Sequence, residues 1–438
     1  MRKTVPAAAP GSREGSHTAE VKDPPSAVLR PLGAFEQLLW LLDQNSPRHF
    51  VLAAQIEGPT TIKGWRNALD LVQRRHPFLS VCIETDPTPY FRQESGASIP
   101  LRVVEGKDPT LGWESEIARE LSQSFNARQA PLLRAVVLHE AERAVYILAA
   151  HHSIADGLSL SFVIRDTLQA LVGIRLDSLP VIAKTEEILG ITACPANQAA
   201  PSQESDSMPP GKPAIYRKDD GSLPRVRGLR LAPELTSKLR EKAREKGTTV
   251  HGALCSAVAL AFRQIRSESS EDPIRIWSPI DMRKLLGVGE DCAVLAGSTI
   301  LSADPQGLAA FWDVARRATT NLAAARTLDR TVAFTNTLYQ AVLNGLDVQT
   351  AAQIMASKFA YEICLTNLGN LRYDTSFGGL RLEAIWGPVV FAGFEGAQTI
   401  GVTTTNGTLC LVHASYTPAQ SLLELTKQLL VSACGLAD

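Results

Sequence analysis

The chain has 438 residues, 45% of them apolar and 20% charged, a balance that can bury two cores of about 200 residues each and that excludes a disordered chain. Forty-four basic against forty-five acidic residues leave a formal charge of −1, which excludes a global field for nucleic acid or an anionic membrane. Seven cysteines stand singly, with no Cys-x-x-Cys pair and no Cys/His ligand spacing, so no metal site is expected and reduced thiols of a cytoplasmic protein fit best.

Residues 1–28 are rich in Ala, Pro, Ser and Gly and read as a loose tail without the apolar core of a signal peptide. Apolar runs fall far short of the roughly 18 residues of a transmembrane segment. Over 61–76, Ile62, Trp65, Leu69 and Val72 recur at spacings of three and four, which predicts a helix ended by Pro77. β-rich pieces follow near 78–83, then at 132–138 and 145–150, and the polar 139–143 between the last two predicts a hairpin. Its second strand runs into His151, and beyond Gly157 the residues Leu160, Ile164, Leu168 and Leu171 keep helical spacing. A strand-loop-helix junction is therefore expected there.

Residues 192–224 hold six prolines among Ser, Asp, Gln and Lys, a composition that cannot pack a core and reads as a linker. It divides a first domain, 29–191, from a second, 225–438. In the second, 229–239 predicts a strand entering a helix, and Thr248-Thr249 starts an apolar helix over 250–265. A strand at 274–280 follows, then helices near 307–326 and 347–358 with strands at 361–365, 379–385, 398–404 and 408–414. Both halves are mixed α and β. The fold class is α/β (α+β), in two lobes.

Fingerprints of several chemistries are absent: no Gly-x-Ser-x-Gly elbow, no Walker loop, no His-Glu-x-x-His and no dinucleotide glycine turn. The segment His151-His152-Ser153-Ile154-Ala155-Asp156-Gly157 instead combines a base, an anchor and a turn. An imidazole with a pKa near 6.5 can take a proton from an attacking hydroxyl or amine and return it to a departing thiolate. Asp156 can fix the loop by pairing with an arginine elsewhere, and Gly157 lets the chain turn into the helix without blocking the site. A histidine pair could also merely satisfy backbone groups at a strand end; the Asp-Gly at this spacing favours catalysis.

His-His-x-x-x-Asp-Gly resembles the signature of the chloramphenicol-acetyltransferase-like superfamily, which includes peptide-synthetase condensation domains, plant BAHD acyltransferases, wax ester synthases and polyketide-associated acyltransferases such as phthiocerol dimycocerosyl transferase. Arg75-His76-Pro77-Phe78-Leu79, Gly247-Thr248-Thr249-Val250-His251 and Thr366-Asn367-Leu368-Gly369 are similar to further family segments, in the family's order. Ser278-Pro279-Ile280-Asp281-Met282-Arg283 is similar to the strand end that carries the arginine partner of the motif aspartate. The resemblance implies two lobes, each a mixed sheet with helices, enclosing a solvent tunnel with one mouth per substrate. It also implies His152 as general base, His151 in support, and Asp156 paired with Arg283 and pointing away from the base. Taken without Asp156, Arg283 would read as a surface cation.

Two departures stand out. Glu383-Ala384-Ile385-Trp386-Gly387 is only distantly similar to the Asp-Phe-Gly-Trp-Gly element of plant members, which disfavours plant-type acceptors. Asp177-Ser178-Leu179 resembles a carrier-protein attachment site without its leading glycine and reads as ordinary loop. The resemblance thus implies a freestanding monomeric acyltransferase with no bound cofactor and no metal. Its donor is a thioester on phosphopantetheine, either acyl carrier protein or acyl-CoA, and its acceptor a small-molecule alcohol, giving an ester, with an amine as the alternative. Ser153 and Asn367 are candidate oxyanion donors. A non-catalytic carrier-binding member and an epimerase using the same histidine are the rivals.

Overall fold

A computed structural model describes residues 27–105, 112–192, 212–266, 272–303, 310–371 and 373–436. Most of the expected tail, the linker positions 193–211 and Cys194 lie outside these residues. In chain order the first half carries β1 (Ala27–Pro31), α1 (Ala34–Asn45), β2 (His49–Glu57), α2 (Ile62–Arg75), β3 (Val81–Glu84), β4 (Tyr90–Gln93) and β5 (Leu101–Glu105). Then come α3 (Trp113–Leu121), β6 (Leu133–His139), β7 (Arg143–His151), α4 (Gly157–Leu171) and the single turn α5 (Thr185–Ile188).

The second half opens with β8 (Arg225–Arg230), α6 (Pro233–Glu245), α7 (Val250–Ile265), β9 (Ile274–Asp281), α8 (Arg283–Leu286) and β10 (Ala296–Ala303). It continues through α9 (Phe311–Ala325), α10 (Leu328–Leu343), α11 (Val348–Lys358), β11 (Ile363–Asn370), β12 (Ser376–Phe377) and β13 (Leu380–Val390). β14 (Gln398–Thr405), β15 (Thr408–Ser415) and α12 (Leu422–Cys434) close the chain. No described helix is long and apolar enough to cross a membrane.

Two six-stranded sheets, ordered β12-β13-β2-β7-β6-β5 and β10-β9-β11-β14-β15-β8, form the frame, beside a small sheet β1-β4-β3. Both large sheets are mixed: β5 runs parallel to β6, and β11 runs parallel to both β9 and β14, among antiparallel neighbours. The fold is therefore α/β in two lobes, each a mixed sheet with helices. The period-two alternation of β7 explains its place. Tyr146, Leu148 and Ala150 enter the first lobe's core with Trp65, Leu69, Leu160 and Ile164, while Val145, Ile147 and Ala149 meet Trp113, Trp386, Cys410 and Val412. The second lobe's core surrounds α7, whose residues Ala253 to Phe262 are buried throughout.

The hairpin β12-β13 leaves the second half of the sequence to pair β13 with β2, so the first lobe's sheet is completed by strands from the second half. Two local expectations need correction. Residues 77–80 form a 3-10 turn before β3, because Pro77 has no N–H for a ladder. The helix α10 was not foreseen: it buries Thr331, Thr335 and Leu338 while Leu328, Phe334 and Leu343 remain exposed, so its apolar residues do not trace its buried face.

Candidate active site

Strand β7 lies between β2 and β6, and its end delivers the two histidines to different surroundings. His49 and His151 oppose each other in the β2-β7 ladder, and the His152 N–H donates to the Arg48 carbonyl at 2.9 Å, one further rung. His151 is fully buried. Its Nδ1 accepts the Ser153 N–H at 3.2 Å, which leaves the proton on Nε2, 3.3 Å from Asp43 Oδ2. That contact is a loose electrostatic one, since Nε2 has no aligned hydrogen-bond partner.

His152 is half-buried, with its ring 4.7 Å from that of Phe50. Its Nδ1 lies 2.9 Å from the Ala155 carbonyl oxygen. A carbonyl can only accept, so Nδ1 carries the proton of the neutral ring and Nε2 keeps the lone pair. Burial lowers the His152 pKa below 6.5, against the opposing pull of the Ala155 carbonyl and of Asp156. The neutral, proton-accepting form is thereby favoured at neutral pH.

Asp156 caps α4: its Oδ1 accepts the Ser159 N–H at 2.9 Å, closing a capping box with Ser159. The same carboxylate takes a two-pronged contact from Arg283, Nη1 to Oδ2 at 2.8 Å and Nη2 to Oδ1 at 2.9 Å, and accepts the Leu295 N–H at 3.0 Å. Both side chains are buried. Burial alone would raise the Asp156 carboxyl, but the Arg283 guanidinium and the N–H donors hold it below 3.8. Ser159 Oγ adds a donor bond to the Ala293 carbonyl at 2.8 Å. The loop bearing His152 is thus stitched to the 281–295 segment of the second lobe, with the Asp156 carboxylate turned toward that lobe.

Gly157 sits where an added Cβ would lie 2.5 Å from Pro388 Cγ and 2.9 Å from Leu368 Cδ2, and it is not among the positive-φ glycines. The expected freedom to turn is therefore not its reason; close packing of the start of α4 against Pro388 of β13 and Leu368 of β11 is. Ser153, fully buried, donates its hydroxyl to the Glu36 carbonyl at 3.2 Å, so that proton is already committed. Asn367 lines a hollow of about 130 Å³ with Thr236, Arg240 and Thr404, and its Oδ1 accepts the Gly369 N–H. Its neighbour Leu368 meets Gly157. Neither oxyanion candidate is brought to Nε2 by these contacts.

The Arg75-His76 motif acts on the same helix from behind. Arg75 Nε and His76 Nε2 reach Asp166 Oδ2 of α4 at 2.7 and 2.8 Å, and Arg165 holds Oδ1. Asp177 accepts from Arg75 through its carbonyl and meets Arg175 through its carboxylate at 3.3 Å, and Trp386 stacks on Trp113 with ring centres 4.9 Å apart. Residues missed from the sequence are Asp43, Arg48, Leu295 and Ser159. Of these only Ser159 had a local signal, the Asp-x-x-Ser spacing of a capping box. No group of three metal-ligating side chains gathers among the described residues.

Two family models match in chain order, the condensation domain over residues 36–177 and the phthiocerol/phthiodiolone dimycocerosyl transferase C-terminus over residues 220–372. A linear gramicidin synthase polypeptide of Brevibacillus parabrevis is 33% identical over 143 residues, 30% of this chain. The chain spans only 2% of that protein's length. Among solved structures, polyketide synthase associated protein 5 from Mycobacterium tuberculosis superposes with a TM-score of 0.62 at 17% identity, over 94% of this chain and 99% of that one. A trichothecene 15-O-acetyltransferase from Fusarium sporotrichioides gives 0.64 at 13% identity, over 92% and 95%. With a condensation-domain match in the first half, a dimycocerosyl transferase C-terminus match in the second, and a fold shared end to end with these structures, the chain is similar to the condensation domains and polyketide-associated acyltransferases of the chloramphenicol-acetyltransferase-like superfamily.

Proposed function

We propose that the protein is an acyltransferase in which His152 is the general base, moving an acyl group from a phosphopantetheine thioester to a hydroxyl to form an ester. The observation that carries this reading is the fixed tautomer of His152: Nδ1–H is held by the Ala155 carbonyl, which leaves the ring's lone pair on Nε2. Nε2 removes the hydroxyl proton as the oxygen attacks the thioester carbonyl. The tetrahedral intermediate collapses, the C–S bond breaks, and the departing thiolate recovers that proton. Each proton and electron pair is accounted for without a covalent acyl-enzyme.

A well-placed base contributes about 10² to 10⁴ in rate, so orientation between the lobes supplies the remainder. In this reading the lobes enclose a tunnel that admits an acyl carrier protein or acyl-CoA donor at one mouth and a small-molecule acceptor at the other, and a monomer acts in the cytoplasm. His151 supports the junction, while Asp156, Gly157 and Arg283 position the loop rather than touch substrate. The family context, a condensation-domain match beside an acyltransferase match, supports acyl transfer or condensation and leaves the amine acceptor as the second reading.

Mass spectrometry of purified protein with acyl-pantetheine thioesters and a panel of alcohols and amines tests it. Transfer yields a heavier acceptor and free thiol. Epimerisation changes no mass, and a non-catalytic binder yields neither product; either result overturns the proposal.

A further inference from the structure

Both peptide N–H groups that flank the base lead back to one carboxylate. The His152 N–H donates to the Arg48 carbonyl at 2.9 Å, and the Arg48 N–H in turn donates to Asp43 Oδ1 at 2.6 Å. On the other side the Ser153 N–H donates to His151 Nδ1 at 3.2 Å, and His151 Nε2 stands 3.3 Å from Asp43 Oδ2. Asp43 thus places one oxygen on each route. Its position is otherwise unfavourable: it lies in the last turn of α1, where the helix dipole opposes a carboxylate, and only 11% of its side chain is exposed. Burial would raise this carboxyl, yet His151 and the Arg48 N–H hold it below 3.8.

The proton positions form a chain. Because His151 Nδ1 accepts a hydrogen bond, the ring proton sits on Nε2, the nitrogen that faces Asp43. The contact is not a straight hydrogen bond, so the sign of the charge, rather than a directed bond, selects this tautomer. A carboxylate suits two donors, the Arg48 N–H at one oxygen and the His151 N–H at the other; an amide does not. With its oxygen kept on the Arg48 N–H, an asparagine would turn its NH2 toward His151 Nε2 and bring two donors together. The ring would relieve this by moving its proton to Nδ1, where it would confront the Ser153 N–H. That peptide would rotate, and with it the turn in which the Ala155 carbonyl holds His152 Nδ1–H at 2.9 Å.

We infer that Asp43 is the positioning residue of the base: its carboxylate selects the Nε2–H tautomer of His151 and, through the peptides on both sides of His152, aims that ring's lone pair. This rests on His152 being the base of an acyl transfer. Asp43 acts through His151 and Arg48 and needs no contact with substrate. The helix α1 adds a second hold on the same loop, since the Ser153 hydroxyl donates to the Glu36 carbonyl at 3.2 Å. One helix thereby fixes the residues before and after the base.

The test is Asp43→Asn in the full-length protein, which keeps an oxygen for the Arg48 N–H and removes only the acceptor facing His151. With the histidine rings labelled with ¹⁵N, two-bond ¹H–¹⁵N correlations report which nitrogen carries each proton, and His151→Gln and His152→Ala assign the two rings. The wild type is expected to show His151 as Nε2–H and His152 as Nδ1–H, and Asp43→Asn to move the His151 proton to Nδ1. With an acyl-pantetheine thioester and an acceptor that the wild type turns over, kcat of Asp43→Asn is expected to fall at least about ten-fold while KM for the thioester stays within about two-fold, as a misaimed base requires. The Arg48 guanidinium also feels the Asp43 charge, so a lower melting point is expected whatever the role of Asp43 and is not the readout. A wild-type kcat, an unmoved His151 proton or a loss confined to KM would each overturn the inference. So would either wild-type ring found in the other tautomer, an outcome that needs no variant to fold. Failure of the base reading looks different: His152→Ala would then transfer at full rate, while the His151 proton would still follow the residue at position 43.

Discussion

Arg283 grips the Asp156 carboxylate with both Nη atoms, at 2.8 and 2.9 Å, across 127 residues of sequence and between the two lobes. The pair is buried and further satisfied by Ser159 and Leu295, so removing one partner strands a charge, at a cost of about 3 to 5 kcal/mol. Asp156→Asn and Arg283→Gln should each lower stability and activity by amounts in that range. Combined, they should cost less than the sum of the singles. Urea unfolding of the four proteins measures the coupling, and additivity within about 0.5 kcal/mol would show that the pair carries no interaction energy.

His152→Ala should reduce kcat by at least about 10² while leaving the fold intact, because it deletes the base and leaves the Asp156 anchor untouched. Steady-state rates together with circular dichroism check this. Retention of more than about a tenth of wild-type turnover contradicts a required base.

The pH profile follows from the direction of the His152 shift. Burial lowers its pKa below 6.5, so the neutral base persists to more acidic pH and the acid limb of kcat/KM should have its midpoint below 6.5. An acid limb centred above 6.5 would contradict the buried environment.

Stability should fall in the same acidic range for a related reason. Buried His49 and His413 are each lowered to about 4 by burial, so between 6.5 and 4 the unfolded chain binds protons that the native protein does not. Their stabilising contribution is complete above 6.5 and is lost as pH falls, with a slope of about 1.4 kcal/mol per pH unit for each histidine. Asp156, held below 3.8, adds a further loss only under more acidic conditions, as it protonates. Denaturant midpoints measured from pH 7 to 4 test this; a flat profile would count against both histidines being buried neutral.

Gly157→Ala should destabilise by about 1 to 3 kcal/mol through overpacking against Pro388 and Leu368. The companion change Leu368→Ala removes one of the two clashing side chains and should recover part of the activity lost in Gly157→Ala. If Gly157→Ala melts like wild type, the tight packing of this position against Pro388 and Leu368 is wrong.

The seven-residue segment and its setting were legible because their causes are local. An apolar β run ending at His151 and a helical apolar spacing after Gly157 each act within a few residues, and β7 and α4 form where that reading placed them. The capping box of Asp156 and Ser159 is a local signal of the same kind that went unread. Arg283 was reachable only through resemblance, since nothing around it in the chain announces a partner 127 residues away. Helix α10 escaped because its buried face carries Thr331 and Thr335 in place of apolar residues, so hydrophobic periodicity had nothing to report.

What the amino-acid sequence determined by itself was therefore the junction: which histidine follows the strand, that a helix starts after Gly157, and that two mixed α and β halves flank a proline-rich stretch. Only the tertiary structure decided that β13 crosses into the first lobe's sheet beside β2, that Gly157 is needed for contact with Pro388 rather than for a turn, and that the Arg48 carbonyl takes the His152 N–H. The reason is physical. Caps and periodicities are set by neighbours along the chain, whereas strand pairing, close packing and the partnering of a buried charge depend on which distant segments the fold brings together.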